Sequence, residues 1–260
     1  MLNQKLYMKE SGEIENIMFD PVMMVMQPRQ IWESLVSLKK NIDIPTAYFR
    51  AYTEPQVIKV MNKFINETSY SHYIIMSDDG VVSRKASDTI LKYMEDDRLD
   101  IFTGWMNMHI EKDGNYSKIS TIPAFPLGEV VPHGEPILVP PADLVLGPVW
   151  SEYPPWAPIT WVMEQKGLIR TNYANFAMSG ARREIFLKYP LGIYPNNTSS
   201  DHHWSYRLQE AGLQVYTHTD AFIKHLRQGW NPWRHNWLVG NVKSEIRYEN
   251  LKWDSRENYV

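Results

Sequence analysis

The sequence predicts an α/β fold with a mostly parallel sheet and helices on both of its faces. Short apolar runs, such as residues 22–26 and 73–76, are typical of buried parallel strands. Segments with apolar residues at helical spacing lie between these runs, most clearly after Pro55. Strands and helices alternate as β-α-β-α-β-α-β through residue 105, which is the order expected for a parallel sheet.

Local patterns place each element of the first half of the chain. Proline is favoured in the first turn of a helix, so Pro55 indicates where the second helix begins. In order, we expect a strand at 22–26, a helix at 31–40, a strand at 46–52, a helix at 54–65, a strand at 73–76, a helix at 86–94 and a strand at 100–105. Residues 1–20 carry no clear pattern.

The second half of the chain is less regular. Prolines cluster among tryptophans within residues 105–170, and we expect a loop-rich insertion that packs over the sheet beside a site. We then expect a strand at 173–178, a helix at 182–189, a helix that begins at Asp201 and a strand at 213–217. The predicted organisation is one domain at 1–227, followed by a C-terminal extension at 228–260 packed on the same domain.

Composition limits the function classes. The chain has 260 residues, 43% of them hydrophobic, and a formal charge of -3, which argues against binding nucleic acid through a basic surface. It has no cysteine, so disulfides and thiolate metal sites are excluded. No apolar run reaches ~18 residues and the N-terminus lacks a secretory signal, so we expect a cytoplasmic protein without a transmembrane segment. Peripheral membrane association stays open.

An acidic pair, Asp78 and Asp79, follows the third predicted strand. In open α/β sheets, ligands bind at the carboxyl ends of the strands. Two adjacent acids at that edge suit Mg2+ or Mn2+, which prefer oxygen ligands and also hold phosphates. Asp79-Gly80 is also a hairpin-turn signal. The helical spacing that begins soon after Val82 favours a strand–helix unit instead.

Three motifs in order carry a resemblance to a known family. They are SDDG at 77–80, FAMSGARREIF at 176–186 and SDHHWSYRLQEAG at 200–212, and His225 follows them. Together they resemble the GT-A-fold glycosyltransferases, especially those of family 2, over roughly residues 20–227. The resemblance implies transfer of a sugar from a nucleotide-diphosphate sugar to a hydroxyl of a glycan or another acceptor.

The resemblance also implies roles for individual residues. Asp79 and His225 would hold Mn2+ or Mg2+, and Asp201 would be the catalytic base of an inverting displacement. Candidates for acceptor contacts are Trp150, Trp156 and His202. Candidates for binding the nucleotide sugar are Gln27, Pro28, Arg29, Tyr52, Ser77, Asp78, Gly180 and Arg182.

Several alternatives stay open. His225 could be a buried, hydrogen-bonded histidine, Asp201 an ordinary first-turn acid, and Arg29 a solvated loop residue. The polar residues after the first two strands differ from those frequent in the family, so uridine and guanosine donors both remain candidates. A retaining transferase, a nucleotidyltransferase and a carbohydrate-binding protein on a degenerate transferase fold are the rival functions. The absence of glycine from residues 27–29 argues against the nucleotidyltransferase.

Overall fold

A computed structural model describes most of the chain between residues 4 and 225. The described ranges are 4–8, 14–26, 32–49, 54–96, 98–106, 119–123, 137–138, 156–165, 167–171, 173–192 and 200–225. The predicted C-terminal extension, residues 228–260, lies outside them. No helix in these ranges has both the length and the apolar character needed to cross a membrane.

The described ranges contain fourteen strands and six helices. In chain order they are β1 (Gln4–Met8), β2 (Ile14–Met18), β3 (Pro21–Met26), α1 (Trp32–Asn41), β4 (Thr46–Phe49), α2 (Glu54–Glu67), β5 (His72–Ser77), β6 (Gly80–Val82), α3 (Arg84–Met94), β7 (Ile101–Phe102), β8 (Ile119–Pro123), β9 (Ile137–Leu138), β10 (Trp156–Pro158), α4 (Ile159–Glu164), β11 (Leu168–Thr171), β12 (Ala177–Arg182), α5 (Arg183–Lys188), α6 (Ser200–Glu210), β13 (Val215–His218) and β14 (Ile223–His225).

Eight strands form the main sheet in the order β4-β3-β5-β12-β7-β13-β11-β9. Four of the seven neighbouring pairs are parallel, including β3 with both β4 and β5. The other three pairs, β5–β12, β12–β7 and β11–β13, are antiparallel. The predicted α/β fold is confirmed. The predicted parallel order is corrected in one respect. Strand β12 lies between β5 and β7, the third and fourth predicted strands, and runs antiparallel to both.

Helices cover both faces of the sheet, as predicted. Strand β5 shows why, since its side chains alternate between the two faces. Ile74 and Met76 belong to a hydrophobic cluster with residues of α1 and α3. Tyr73 and Ile75 belong to a second cluster with residues of α2, α5 and α6. A strand buried on both faces needs apolar residues at every position, which explains the continuous apolar run.

The expected helix follows the Asp79-Gly80 turn, but a short strand, β6, precedes it. A strand does follow the turn, but it does not form a hairpin with β5. Instead β6 leaves the main sheet and pairs antiparallel with β14, with Gly80 opposite His225 and Val82 opposite Ile223. Helix α3 then begins, and its N-cap Ser83 accepts a hydrogen bond from the backbone N–H of Ala86.

Three further expectations differ from the structure. Residues 4–18, which carried no clear pattern, form the hairpin β1–β2. The second strand was expected to reach residue 52, but β4 ends at Phe49 and residues 50–53 lie outside the described ranges. The strand expected at 173–178 begins only at Ala177. Asn175 Oδ1 accepts the N–H of Ala177 at 2.8 Å, a side-chain turn that interrupts extended backbone.

The described parts of the predicted insertion contain only short elements. Strands β8 and β10 pair antiparallel, while β9 and β11 extend one edge of the main sheet. Buried residues of β8, β10 and α4 join the cluster that covers the α1 and α3 face. That cluster also contains Val82 of β6 and Ile223 of β14. The described insertion therefore packs on the face that carries the β6–β14 pair.

Candidate active site

The carboxyl ends of the parallel strands β3, β4 and β5 meet at one edge of the sheet. The turn after β5 places Asp78 and Asp79 at this edge, and both residues are buried, with exposed fractions of 0% and 5%. Burying a carboxylate costs free energy unless hydrogen bonds, a cation or a metal compensates. Two adjacent buried acids at a ligand-binding edge therefore mark a candidate site.

Asp79 and His225 lie together at this site. Ser77 Oγ donates a hydrogen bond to Asp79 Oδ1 at 2.5 Å, and His225 Nε2 lies 3.1 Å from Asp79 Oδ2. The two residues are 146 positions apart in the chain. Pairing of β6 with β14 joins them, because it puts His225 opposite Gly80. The two predicted metal ligands are thus neighbours in space.

The separation of these two atoms fits a shared divalent cation. Two ligands at ~2.1 Å from one ion and at a right angle to each other are about 3.0 Å apart. Magnesium-like ions commonly use one or two protein ligands and complete their shell with water and substrate phosphates. Within the described ranges, no group of three or more such side chains gathers around one point. Asp79 and His225 therefore fit a two-ligand site that phosphates complete.

Helix α1 holds the other edge of β6. Asn41 Nδ2 donates to the carbonyl of Val82 at 2.8 Å, and Ser37 Oγ accepts the N–H of Val82 at 3.2 Å. Both side chains are buried. A three-residue strand with a single strand partner would be weakly held, and these two hydrogen bonds fix it. The backbone beside Asp79 is consequently anchored on both sides.

Helix α6 begins at the same edge of the sheet. Its first residue, Ser200, donates its backbone N–H to Glu54 Oε1 at 2.8 Å, and its hydroxyl also donates to that oxygen. Glu54 is the first residue of α2, shortly after β4 ends. The carboxylate of Glu54 therefore caps α6 and sits close to two helix N-termini, which favour negative charge. This link places Asp201 near the carboxyl end of the parallel strands.

The carboxylate of Asp201 is held at both oxygens. The hydroxyl of Tyr173 donates to Oδ2 at 2.5 Å, and the backbone N–H of His202 donates to Oδ1 at 2.9 Å. A short loop connects this carboxylate to the acidic turn, because Phe176 accepts the backbone N–H of Ser77 at 2.8 Å. Three residue steps span at most about 11 Å. Asp201 and the acidic turn therefore belong to one region.

The two histidines after Asp201 have different surroundings. The ring of His202 packs edge-on against Tyr173 with centroids 5.0 Å apart, so it lies beside Asp201. His203 instead packs against the backbone at Gly192. Burial, and then the charge of Arg207, lower the pKa of His203 below its ordinary value. His203 is therefore mainly neutral at pH 7.

Two predicted nucleotide-sugar contacts lie away from this site. Gly180 is in the middle of β12, where an added Cβ would lie 2.5 Å from Met94 Sδ and 3.1 Å from Ile74 Cγ1. Arg182 pairs with His72 at the start of β5. Five residue steps separate His72 from Ser77, about 16 Å at the usual strand rise. The structure therefore brings neither Gly180 nor Arg182 to the acidic turn.

The remaining predicted residues lie outside what the structure describes. Trp156 is in β10, but its side chain is not described. Gln27, Pro28, Arg29, Tyr52 and Trp150 lie outside the described ranges. The first three follow β3, and Tyr52 lies between β4 and α2, so the chain leads into them from the edge that carries Asp79. Their roles stay predictions.

Sequence reasoning did not identify Tyr173 as a site residue. Its contact with Asp201 spans 28 residues, and that of Glu54 with Ser200 spans 146. No local pattern in the sequence indicates either contact. A tyrosine beside an irregular segment, such as Tyr173, is also a common core residue. Only the tertiary structure shows that these side chains meet.

Comparison with solved structures agrees with this architecture. The chain matches the crystal structure of GalNAc-T7 with UDP, GalNAc and Mn2+ at a TM-score of 0.50 and 13% identity. The match covers 85% of this chain and 44% of that chain. The fold is of the GT-A type. At this identity the likeness concerns the GT-A fold alone, and the chain spans less than half the length of the GalNAc-T7 chain.

A second solved structure, A197 from STIV, matches at a TM-score of 0.44 and 10% identity. It covers 76% of this chain and 80% of that chain. No family model matches the sequence, and no curated protein matches it either.

Proposed function

We propose that this protein is a metal-dependent glycosyltransferase that moves a sugar from a nucleotide-diphosphate sugar to an acceptor hydroxyl. One observation carries the proposal: Asp79 Oδ2 and His225 Nε2 lie 3.1 Å apart. They meet at the carboxyl edge of the parallel strands, where ligands bind in open α/β sheets. A second buried acid, Asp78, lies beside Asp79 at this edge.

The charges at this edge support a metal-bound diphosphate. Asp78, Asp79, Glu54 and Asp201 all lie at or near it. A diphosphate would be repelled by these acids unless a cation lay between them. Mn2+ or Mg2+, held by Asp79 and His225, would supply that charge and would stabilise the negative charge on the departing diphosphate.

Asp201 is the proposed catalytic base. Its carboxylate would accept the proton of the acceptor hydroxyl while that oxygen bonds to the anomeric carbon of the donor sugar. The bond from the anomeric carbon to the diphosphate oxygen breaks in the same step, and its electron pair leaves with the nucleoside diphosphate. Attack opposite the leaving group inverts the anomeric configuration. Asp201 later returns its proton to solvent.

The predicted binding residues complete this proposal. Gln27, Pro28, Arg29 and Tyr52 would meet the nucleotide together with Ser77 and Asp78, because the chain enters these segments from β3, β4 and β5. His202 would contact the acceptor beside Asp201, with Trp150 and Trp156 as further candidates. We place the domain at 1–227 and the protein in the cytoplasm. The donor nucleoside is uridine or guanosine.

Calorimetry with UDP and GDP, each with and without Mn2+, tests the metal site. We expect the unmodified protein to bind one diphosphate much more tightly when Mn2+ is present. Asp79→Ala and His225→Ala should each remove most of that gain, since each deletes one ligand. His218→Ala is the matched control, because His218 is at the end of β13 and contacts Asp220 instead. Equal diphosphate affinity with and without Mn2+ would contradict the proposal.

A panel of nucleotide sugars tests the reaction. The protein should hydrolyse or transfer one donor in the presence of Mn2+, releasing a nucleoside diphosphate and a sugar. If the protein is instead incubated with a nucleoside triphosphate, release of pyrophosphate would indicate a nucleotidyltransferase. Sugar binding without any donor turnover would indicate a carbohydrate-binding protein.

A further inference from the structure

The loop at residues 173–176 connects the two halves of the candidate site. At one end, the carbonyl of Phe176 accepts the backbone N–H of Ser77, next to the acidic turn. At the other end, the side chain of Tyr173 contacts Asp201 in the first turn of α6. The loop therefore sets how far the proposed base lies from the proposed metal ligands.

Within the described ranges, the one side-chain contact to Asp201 from outside α6 comes from Tyr173. Its hydroxyl donates to Asp201 Oδ2 at 2.5 Å. A hydrogen bond to an ionised carboxylate is stronger than one between neutral groups. The backbone N–H of His202 occupies Oδ1 at 2.9 Å. Since each carboxylate oxygen has two lone pairs, these contacts orient the group and still leave each oxygen able to accept a second hydrogen bond.

Tyr173 is itself held in place. Its backbone N–H donates to Thr171 Oγ1 at 3.3 Å, and the ring of His202 packs edge-on against its own ring. The next residue, Ala174, donates its N–H to Ser205 Oγ at 2.9 Å. Ser205 Oγ in turn donates to the carbonyl of Asp201 at 2.7 Å. The loop and the first turn of α6 are thus joined through both side chain and backbone.

A strained backbone position lies just beyond this loop. Met178 has a φ of 64°, which non-glycine residues rarely adopt, and it lies where the register between β12 and β5 shifts. Buried hydrogen bonds surround it: Thr103 Oγ1 lies 2.5 Å from Ser179 Oγ, and Asn175 Nδ2 donates to Gly104 at 3.0 Å. Strain of this kind persists only where the surroundings impose it, and it occurs often at functional sites.

We propose that Tyr173 is a positioning residue, whose hydroxyl holds the carboxylate of Asp201 in the orientation that accepts a proton from the acceptor hydroxyl. This inference rests on the proposed function. A general base works only within hydrogen-bond reach of the proton that it takes, so a freely rotating Asp201 would spend much of its time misplaced. Tyr173 does not contact the donor in this proposal and takes no proton.

The test is Tyr173→Phe, which removes only the hydroxyl. We expect kcat for sugar transfer to fall about tenfold to a hundredfold, because a hydrogen bond to a charged group is lost. KM for the donor and the Mn2+-dependent affinity for nucleoside diphosphate should stay within about twofold of the unmodified protein, a change too small to represent a lost contact. Tyr206→Phe is the matched control, since Tyr206 is an exposed tyrosine on α6, the helix that carries Asp201.

A double variant separates positioning from a general structural effect. If Tyr173 acts through Asp201, Tyr173→Phe should add little further loss when Asp201 is already replaced by asparagine. Independent losses that multiply would overturn the inference, and so would transfer by Tyr173→Phe at or above the normal rate. If Tyr173→Phe does not fold, Tyr173→Gln, which keeps a donor, should be more active than Tyr173→Leu, and equal activity would overturn the inference.

The same measurements separate this inference from the proposed function. Failure of the unmodified protein to bind a nucleoside diphosphate with Mn2+ would reject the transferase itself. Normal binding and transfer in the unmodified protein, together with unchanged kcat in Tyr173→Phe, would reject only the role of Tyr173.

Discussion

Gly80 and Ile223 pack so closely that a Cβ on Gly80 would lie 2.9 Å from Cγ2 of Ile223. The two residues lie on the paired strands β6 and β14; Gly80 directly follows Asp79, and Ile223 is two residues before His225. Met76 Cε would also lie 2.8 Å from the added atom, but a methionine side chain can move. The branched side chain of Ile223 cannot move without shifting β14. Glycine at position 80 is therefore what lets the two strands approach.

We predict that Gly80→Ala weakens the metal site. The added methyl group should push β14 away from β6, which separates Asp79 from His225. Overpacking of this kind typically costs about 1–3 kcal/mol of stability. Calorimetry should show weaker Mn2+-dependent binding of nucleoside diphosphate, and thermal unfolding should show a lower Tm.

Gly212→Ala is the control for the loss of stability. Gly212 has a φ of 73° just after α6, and its surroundings leave open space for a methyl group. Alanine there strains the backbone by roughly 1–2 kcal/mol without touching β6 or β14. Its Mn2+-dependent binding should therefore stay normal. Equal loss of binding in both glycine variants would show that stability, not the approach of the strands, explains the effect.

Glu54→Ala should destabilise the start of α6. The variant removes the carboxylate that accepts both the N–H and the hydroxyl of Ser200. Loss of a cap typically costs about 0.5–2 kcal/mol. Chemical denaturation measures that cost, and hydrogen exchange should show faster opening at residues 200–203. Glu54→Gln keeps an acceptor oxygen, so its loss should be smaller. A Glu54→Ala protein as stable as the unmodified chain would contradict the cap.

Much of the fold follows from local sequence. The apolar runs that became β3 and β5, and the helical spacing of α1, α2 and α3, are local patterns that packing reinforces. The position of β12 could not be predicted, because its pairing with β5 and β7 involves strands far apart in the chain. Residues 173–176 misled the prediction, since their apolar character is that of a buried loop.

The same contrast between local patterns and distant contacts applies to the candidate site. Asp79 and His225 came from motifs, and the structure places them 3.1 Å apart through a strand pair that no local pattern indicates. Tyr173 was missed because its importance lies only in its contact with Asp201. Gly180 is the reverse case: it lies within a recognised motif, yet its close neighbours are Met94 and Ile74.

The last prediction concerns Asp201→Asn, which tests the proposed base directly. Asparagine keeps the size of the side chain and is tolerated near helix N-termini, so α6 should still form. Its single amide oxygen can still accept the N–H of His202, while its NH2 replaces the oxygen that faces Tyr173, and the amide cannot take a proton from the acceptor. Loss of a general base typically costs about 10²–10⁴ in rate.

Asp201→Asn should therefore bind donor and Mn2+ almost normally and transfer sugar very slowly. Binding is measured by calorimetry, and transfer by release of nucleoside diphosphate in the presence of acceptor. NMR of the product made by the unmodified protein should show an anomeric configuration opposite to that of the donor. Near-normal transfer by the variant would remove Asp201 as the base. A retained configuration would favour a retaining transferase, in which Asp79 and His225 keep their metal role while Asp201 serves another one.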